Sequence, residues 1–393
     1  MAEFSPMMKH YLELKEEYKD CILFYRLGDF YEMFFDDAIL ASRELEIVLT
    51  GRDCGQEERA PMCGVPFHAA ENYISKLIEK GYKVAICEQL EDPKEAKGIV
   101  KRDVIRVVTP GTVIETNMLD EKKNNYIMSI FKKGIYFGLS VCDITTGEFA
   151  STKIAENNNF ALLLDEISKY SPAEIIVNKL LFDCKEELDE IKLKFNVYIS
   201  NFDEKAFNEK TENLIQNYTF TDEMNKEIVQ LKDYVLEVPS INALLEYLTQ
   251  TQKIKLEHIN NIKIYNSSKY MLLDIAARRN LELTEKMNDK SKKGTLLWVL
   301  DKTSTSMGGR LLRKWINEPL LDTLQINKRL NAVKELKENI ILRGDLGGAL
   351  KYVYDIERLV GKISYGNSNA RDMVSLKGSL RQLPIIKELL ARN

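Results

Sequence analysis

Residues 22–37 read Ile-Leu-Phe-Tyr-Arg-Leu-Gly-Asp-Phe-Tyr-Glu-Met-Phe-Phe-Asp-Asp, and this stretch predicts a local fold. The apolar run Ile22–Leu27 is typical of a strand, and Gly28-Asp29 after it is a turn signal. Asp36-Asp37 then predicts the cap of a helix that continues to Leu45. Strand, turn and helix in such close succession indicate a compact α/β domain.

Phe30 and Glu32 follow the turn and lie two residues apart. In an extended segment side chains alternate, so both project to one face while Tyr31 turns away. An aromatic ring beside a carboxylate can enter a base stack and hydrogen-bond a base edge, and proteins that kink duplexes from the minor groove insert apolar side chains in this way. The alternative is that Phe30 packs in the core and Glu32 is a solvated charge, and local sequence alone favours that alternative.

The charge of the chain is unevenly distributed. The formal net charge is −4, but residues 1–117 carry −7, residues 118–249 carry −9 and residues 250–393 carry +12. Only the last third has the charge of a polyanion-binding surface. Phosphate neutralisation supplies most non-specific DNA affinity. If Phe30 inserts between bases as a wedge, this acidic first third therefore needs basic residues close to it. Arg52, Lys76, Lys101, Arg102 and Arg106 are the candidates.

The pattern along 393 residues indicates several domains. Residues 1–117 alternate helices and strands, 118–125 is a polar linker, and 126–245 opens with three β-rich runs followed by a helix and a strand. From 246 to 393 the chain reads as helices, with a short strand-like piece at 271–273. In the first segment, two prolines and a glycine at 61–66 predict a turn before a helix that His68 opens.

Seven short segments of the chain carry recognisable motifs. In chain order they are Phe24–Glu32, Gly64–Ala69, Val84–Gln89, Arg106–Thr112, Asp274–Glu285, Gly308–Trp315 and Asp355–Leu359. The first four resemble motifs of the MutS family of DNA mismatch repair proteins, and the last three resemble segments of that family's core domain. The matches run in order along the chain, apart from a weaker middle.

The resemblance implies a mixed-sheet α/β mismatch-binding domain, an RNase H-like connector and the first part of a helical core or lever domain. It implies that Phe30 stacks on a mispaired or unpaired base and that Glu32 hydrogen-bonds it. Arg52, Met62, Lys76 and Arg102 are expected to contact the DNA backbone. The expected partners are mismatched double-stranded DNA and MutL, the latter through the connector.

The resemblance also implies a cytoplasmic, ATP-dependent homodimer for the longer parent, with ATP and Mg²⁺ as its cofactors. The family's clamp and ATPase domains find no counterpart in these residues. Gly361-Lys362 is followed by Ile363, so it does not fit the phosphate-binding pattern G-x-x-x-x-G-K-[ST]. We therefore expect no ATP hydrolysis and no bound cofactor in this chain. Apolar faces of its last helices are expected to be exposed.

Two other function classes stay open. Asp143, after a predicted strand, is the candidate for a metal-dependent nuclease centred on the connector, although no partner carboxylates are identifiable. A structural or partner-binding paralogue that does not read mismatches is the second, and the presence of Phe30 with Glu32 argues against it. Six scattered cysteines without C-x-x-C spacing and three histidines predict free thiols rather than a zinc site.

A cluster of basic residues lies in the last third. It comprises Arg278, Arg279, Lys292, Lys293, Arg310, Arg313 and Lys314. We expect the pair Arg278-Arg279 to form internal ion pairs and Lys292-Lys293 to lie in a solvated loop.

Overall fold

A computed structural model describes residues 4–91, 98, 100–155, 159–211, 214, 218, 220, 221 and 236–391. The chain divides into two compact units. The first comprises Met1–Met118 with Tyr247–Lys255, and the second comprises Leu119–Glu246 with Leu256–Asn393. The predicted succession of mixed α/β structure and helices is confirmed.

The first unit contains a six-stranded mixed sheet of order β3-β4-β2-β1-β5-β6. Its strands are β1 (Cys21–Leu27), β2 (Phe30–Phe34), β3 (Thr50–Arg52), β4 (Ala60–Pro66), β5 (Lys83–Gln89) and β6 (Arg102–Val108). Only β1 and β5 pair in parallel, and the other neighbours are antiparallel. Its helices are α1 (Pro6–Glu17), α2 (Phe35–Leu45) and α3 (Ala70–Glu79).

Asp37 does not cap its own helix, contrary to the prediction from Asp36-Asp37. Its carboxylate is buried, accepts hydrogen bonds from the backbone N–H of Leu23 (2.9 Å) and the hydroxyl of Tyr11 (3.2 Å), and pairs with Lys15 (2.9 Å). Because a buried charge needs partners, Asp37 is held by β1 and α1 rather than by free N–H groups of α2.

Residues 61–66 form strand β4 rather than the predicted turn. The strand lies between β3 and β2, and Gly64 pairs with Glu32. A Cβ at Gly64 would lie 3.3 Å from the carbonyl oxygen of Tyr31 and 3.4 Å from Cγ of Glu32. The glycine therefore marks a close approach between strands, which the sequence pattern does not distinguish from a turn. His68 lies in a 3₁₀ turn, Phe67–Ala69, that leads into α3.

The second unit contains a six-stranded sheet of order β11-β10-β7-β8-β9-β12. Its strands are β7 (Ile127–Lys133), β8 (Tyr136–Asp143), β9 (Glu148–Ile154), β10 (Glu174–Val177), β11 (Tyr198–Asn201) and β12 (Lys263–Ile264). β7, β8 and β9 are the three predicted β-rich runs and form an antiparallel meander, and β10 returns parallel to β7. Helices α4 (Asn159–Tyr170), α5 (Lys179–Phe182) and α6 (Lys185–Phe195) connect the later strands.

Helices dominate the remainder of the described chain. They are α7 (Glu237–Gln252), α8 (Ile275–Asn280), α9 (Leu296–Leu300), α10 (Ser306–Asn317), α11 (Thr323–Glu338), α12 (Ile340–Leu350), α13 (Ile356–Ser364) and α14 (Ala370–Ala391). The strand-like piece at 271–273 is not a strand, since only an isolated bridge, Tyr270 to Leu320, forms beside it. Apolar side chains such as Leu324 (73% exposed) and Ile341 (77%) lie at the surface, as expected. None of the helices described here combines the length and hydrophobicity that a bilayer crossing requires.

The polar segment at 118–125 is bonded to the helices of the second unit. Arg310 donates to the carbonyl of Glu121 (2.9 Å), and Arg358 donates to the carbonyls of Asp120 (3.0 Å) and Lys123 (2.8 Å). Most of this segment therefore packs as part of the second unit.

The six cysteines are free, and they differ in accessibility. Cys184 is partly exposed and the other five are buried. Burial raises the pKa of Cys21, Cys63 and Cys87 to about 12, and it raises the pKa of Cys142 well above the usual thiol value. Little thiolate, the reactive form, therefore exists at these sites at neutral pH.

We expect one fast-reacting thiol in the native protein, at Cys184. Titration at pH 8 with a chromogenic disulfide should show one equivalent in the fast phase, with the others roughly a hundredfold slower. Six equivalents should react in denaturant, and Cys184→Ser should remove the fast phase. A second rapid equivalent in the native protein would contradict this assignment.

Candidate nucleic-acid interface

Strands β1 and β2 form a hairpin whose loop has two residues. Leu27 pairs with Phe30 across the turn, and Gly28 has φ +58°. A left-handed residue in a two-residue loop matches the right-handed twist of the flanking strands, and glycine adopts it without steric cost. The turn therefore places Phe30 as the first residue of β2.

Side chains of β2 alternate as the sequence predicts. Phe30 is 45% exposed, whereas the next residue, Tyr31, is 8% exposed. Glu32 is half-buried on the side of Phe30. Further along the same face, Phe34 is fully buried against Tyr11, with ring centroids 4.9 Å apart. The strand is thus anchored at one end and presents an aromatic ring at the other.

Arg26 holds the turn from within the hairpin. Its Nε donates to the carbonyl of Gly28 (2.6 Å), and its guanidinium lies 3.8 Å from the centre of the Phe67 ring. It also pairs with Glu88 at 3.2 Å. The backbone N–H of Phe67 donates to the carbonyl of Asp29 (2.9 Å), so both carbonyl groups of the turn are bonded. A cation–π contact and charge-assisted hydrogen bonds restrain the loop that carries Phe30.

Tyr31 provides a second anchor on the opposite face. Its hydroxyl donates to the carboxylate of Glu88. Burial, together with this bond and the negative charge of Glu88, raises the pKa of Tyr31 well above its usual value. The phenol therefore stays protonated and remains a donor throughout the physiological range.

Glu32 is paired with Arg52 in this structure. Arg52, the last residue of β3, donates to the Glu32 carboxylate, and its own side chain is 38% exposed. The absent side chain of Gly64 leaves room beside Glu32. The site therefore combines an exposed ring, a half-buried carboxylate and a guanidinium that partly neutralises it.

The other three predicted DNA-contacting residues have different surroundings. Met62 is half-buried and packs against the core of the first unit. Lys76 is exposed on α3, with its ammonium 6.0 Å from the centre of the Tyr73 ring. Arg102 is buried and donates to the carbonyls of Arg26 (2.8 Å) and Val100 (2.9 Å). Backbone contact by all three stays a prediction, and this geometry gives Arg102 a structural role.

The two further basic candidates also differ. Arg106 donates to the carboxylate of Glu115 (2.6 Å), to the carbonyl of Thr112 (3.0 Å) and to the side chain of Gln252 (3.1 Å). Its donors are therefore used in hydrogen bonds within the protein. Lys101 is exposed. Of the five basic candidates, Lys76 and Lys101 are the ones whose charges face solvent freely.

Sequence reasoning missed the group that supports the turn. Arg26, Tyr31 and Glu88 all stand within the quoted motifs, but Arg26 and Glu88 are 62 positions apart. The available signal was the presence of an arginine and a glutamate in two apolar strands, where buried charges need partners. Their pairing required the parallel register of β1 on β5.

Asp143, the nuclease candidate, organises a turn. It is fully buried at the end of β8 and accepts hydrogen bonds from the amide of Asn124 (2.8 Å) and from the backbone N–H and hydroxyl of Thr145 (2.9 and 2.7 Å). Within the described residues, no three His, Cys, Asp or Glu side chains converge to hold a metal ion. These bonds assign Asp143 a structural role.

Comparisons with known proteins place the chain in a family. Residues 5–117 match MutS domain I, residues 125–260 match MutS domain II and residues 276–393 match MutS domain III. The chain belongs to the MutS family, which confirms the resemblance seen in its motifs.

Proteins named DNA mismatch repair protein MutS are similar along the whole chain. That of Ruminiclostridium cellulolyticum is 58% identical over 391 residues, and that of Acetivibrio thermocellus is 57% identical over 398. The alignments cover 99% of this chain and 44% of each relative, so the chain spans less than half the length of these curated proteins. That of Clostridium tetani is 53% identical over 390 residues, with 99% and 43% covered.

We predict that Phe30→Ala and Phe34→Ala differ strongly in their effect on stability. Phe30 is partly exposed, so its truncation should change the free energy of unfolding by at most about 1 kcal/mol. Phe34 on the same strand and face is fully buried, and its truncation should cost about 3–5 kcal/mol. Urea denaturation followed by circular dichroism measures both. Equal losses of unfolding free energy in the two variants would mean that Phe30 is a core residue and not a binding residue.

Proposed function

We propose that this chain is the mismatch-reading part of a DNA mismatch repair protein. In this proposal Phe30 enters the duplex from the minor groove and stacks on a mispaired or unpaired base, while Glu32 hydrogen-bonds that base. The observation that carries the proposal is an exposed aromatic ring at a restrained hairpin turn, with a carboxylate two residues further on the same face. The MutS family membership supports it.

The free-energy cost of unstacking bases distinguishes mismatched from matched duplexes. Opening a base step costs a few kcal/mol, and the cost is least where pairing is already broken. Stacking on an aromatic side chain returns about 1–3 kcal/mol per base. A matched duplex therefore resists the wedge, and a mispair accepts it. A restrained turn favours this exchange because the ring needs no ordering on binding.

The Glu32–Arg52 pair adjusts the charge at the wedge. An unpaired carboxylate near the groove would repel phosphates, whereas the Arg52 guanidinium offsets that repulsion in the free protein. When Glu32 turns to a base, Arg52 becomes available for the nearby backbone. Glu32 thus contributes to discrimination between base pairs more than to affinity.

The remaining expectations form part of the same proposal. Lys76 and Lys101 are the exposed cations that would position the backbone. The strand order of the second unit, with three antiparallel strands followed by two parallel ones, supports an RNase H-like connector. Recruitment of MutL through this connector is proposed from the family membership alone. ATP and Mg²⁺ binding, homodimerisation and a cytoplasmic location are proposed for the full-length protein. The sequence of this chain contains no G-x-x-x-x-G-K-[ST] loop, so the proposed insertion of Phe30 into DNA involves no bound nucleotide in this chain.

We predict that Phe30→Ala abolishes mismatch preference without unfolding the protein. Loss of one stacking contact should lower affinity for a duplex with a central G·T mispair or unpaired T about tenfold or more, and leave matched-duplex affinity nearly unchanged. Fluorescence anisotropy at low salt measures both, because the phosphate contacts of cations such as Lys76 and Lys101 weaken as the salt concentration rises.

The matched control is Tyr136→Ala. Tyr136 is 43% exposed at the start of β8 in the second unit, so its truncation removes a similarly exposed ring elsewhere. Its mismatch preference should equal that of the wild type. If the wild-type protein is folded yet shows no preference for mismatched DNA, insertion of Phe30 is not sufficient for recognition.

Glu32→Gln should strengthen binding to matched DNA more than binding to mismatched DNA. The substitution removes a negative charge close to the phosphates and releases Arg52, so matched affinity rises while the ratio of the two affinities falls severalfold. Glu16→Gln is the control, since Glu16 is also paired with a cation, Lys19, but lies exposed on α1. A similar rise in the control would mean that net charge, and not the position of Glu32, is responsible.

A further inference from the structure

A cavity of about 470 Å³ lies within the second unit, lined by α8, α10 and the chain around residues 123–126, 168–171 and 193–196. Ten of its lining side chains are Lys or Arg and two are Glu. In a concave site, charges of one sign that are not neutralised by ion pairs focus the potential of that sign into the site. The volume is in the range of small-ligand sites, roughly 300–1,000 Å³.

The carboxylates around the cavity are already engaged. Glu318 pairs with Lys169 at 3.1 Å, and Glu285 pairs with Lys123 at 3.2 Å. Carboxylates outside the lining neutralise further lining cations. Their pairs are Glu148 with Lys314, Glu166 with Lys169, Glu190 with Lys194, and Asp355 and Glu357 with Arg310. These contacts leave several of the cations without a close carboxylate partner.

Arg313 on α10 has an incompletely bonded guanidinium. Its Nε is buried and has no hydrogen-bond acceptor among the described residues, and its nearest carboxylate oxygen, on Glu285, is 3.8 Å away. Burial lowers the pKa of Arg313 below the usual arginine value, in spite of the opposing charge of Glu285. A buried guanidinium donor without an acceptor is unfavourable unless a partner supplies one.

Arg278 on α8 lines the same cavity and has only neutral partners. It donates to the side chain and carbonyl of Asn317, both at 3.0 Å, and to the carbonyl of Leu273 at 3.0 Å. Burial lowers its pKa as well. The predicted internal ion pairs of Arg278 are therefore replaced by hydrogen bonds to neutral groups, and its charge is offset only at longer range.

We propose that this cavity binds a small anion carrying one or two phosphate groups, with Arg313 as the principal ligand. The Arg313 side chain is 16% exposed, so phosphate oxygens would accept from the accessible part of its guanidinium and place negative charge among the cations, and the planar fork of arginine suits phosphate oxygens. Lys286, half-buried in the same lining, would add a point charge. The proposal does not depend on DNA recognition by the first unit.

Pyrophosphate is the probe for the test, used with the full 393-residue chain. Isothermal titration and thermal unfolding are measured at matched ionic strength in chloride, so that general screening is equal. We expect one saturable site and a rise in melting temperature for the wild type. Arg313→Met should weaken binding about tenfold or more, as expected for loss of a charge-assisted hydrogen bond, and should remove the rise.

Two further variants complete the design. Arg371→Met removes the same charge from an exposed position on α14 and should bind like the wild type. Lys286→Gln should weaken binding severalfold, and it serves as the test if Arg313→Met does not fold. Absence of saturable binding in the wild type would overturn the proposal, as would equal binding by the Arg371 variant and both cavity variants.

Discussion

The turn at Gly28-Asp29 is bonded at both of its carbonyl groups, one by the guanidinium of Arg26 and the other by the backbone of Phe67. With the turn restrained, alternation along β2 determines the rest of the site. Phe30 projects outward, Tyr31 is anchored on Glu88 and Glu32 lies beside Arg52. A side chain that must enter a base stack depends on this support, because a mobile loop would lose its ordering entropy on binding.

The hairpin in turn depends on a buried carboxylate. Asp37 joins three elements: its own helix α2, the backbone of β1 through Leu23, and α1 through Tyr11 and Lys15. Burial, with the nearby charge of Asp37, raises the pKa of Tyr11 well above its usual value, so the hydroxyl remains a donor. The strand that carries the turn is thus attached to both neighbouring helices by one side chain.

Charge along the chain does not correspond simply to charge at the surface. The last third has a net charge of +12, but Arg310 is bound by Asp355 and Glu357, and Lys292 is paired with Asp301 rather than solvated. Burial opposes the charge of Arg310, but the hydrogen bonds and negative charges of Asp355 and Glu357 together outweigh burial and raise its pKa, which stabilises the charged form. Arg313, in the cavity wall, has a buried Nε without a hydrogen-bond acceptor among the described residues. Counting charges along the sequence therefore overestimates the basic surface open to a duplex.

Local signals in the sequence were sufficient for several features. The apolar run from Ile22, the Gly28-Asp29 turn and the alternation of Phe30 and Glu32 each depend on neighbours within a few residues, and the strand, turn and side-chain directions formed as predicted. The helix at 159–170 and the meander of β7, β8 and β9 are equally local. The ordered motifs also determined family membership, since they extend along most of the chain.

Tertiary structure decided what depends on distant partners. The prolines and glycine at 61–66 predict a turn, but the segment pairs with β2 on one side and β3 on the other and is therefore a strand. The sequence alone suggests that Arg102 is a surface cation and that Asp37 caps a helix. In the fold, Arg102 donates to the carbonyl of Arg26, and Asp37 accepts from the backbone N–H of Leu23 in β1. The sequence by itself determined most of the extended, turned and helical segments, because those preferences are local, and it was wrong where a segment such as 61–66 depends on strands from elsewhere in the chain. The pairing of buried charges required the fold, because desolvation makes a charge seek partners that only the packed chain brings within reach.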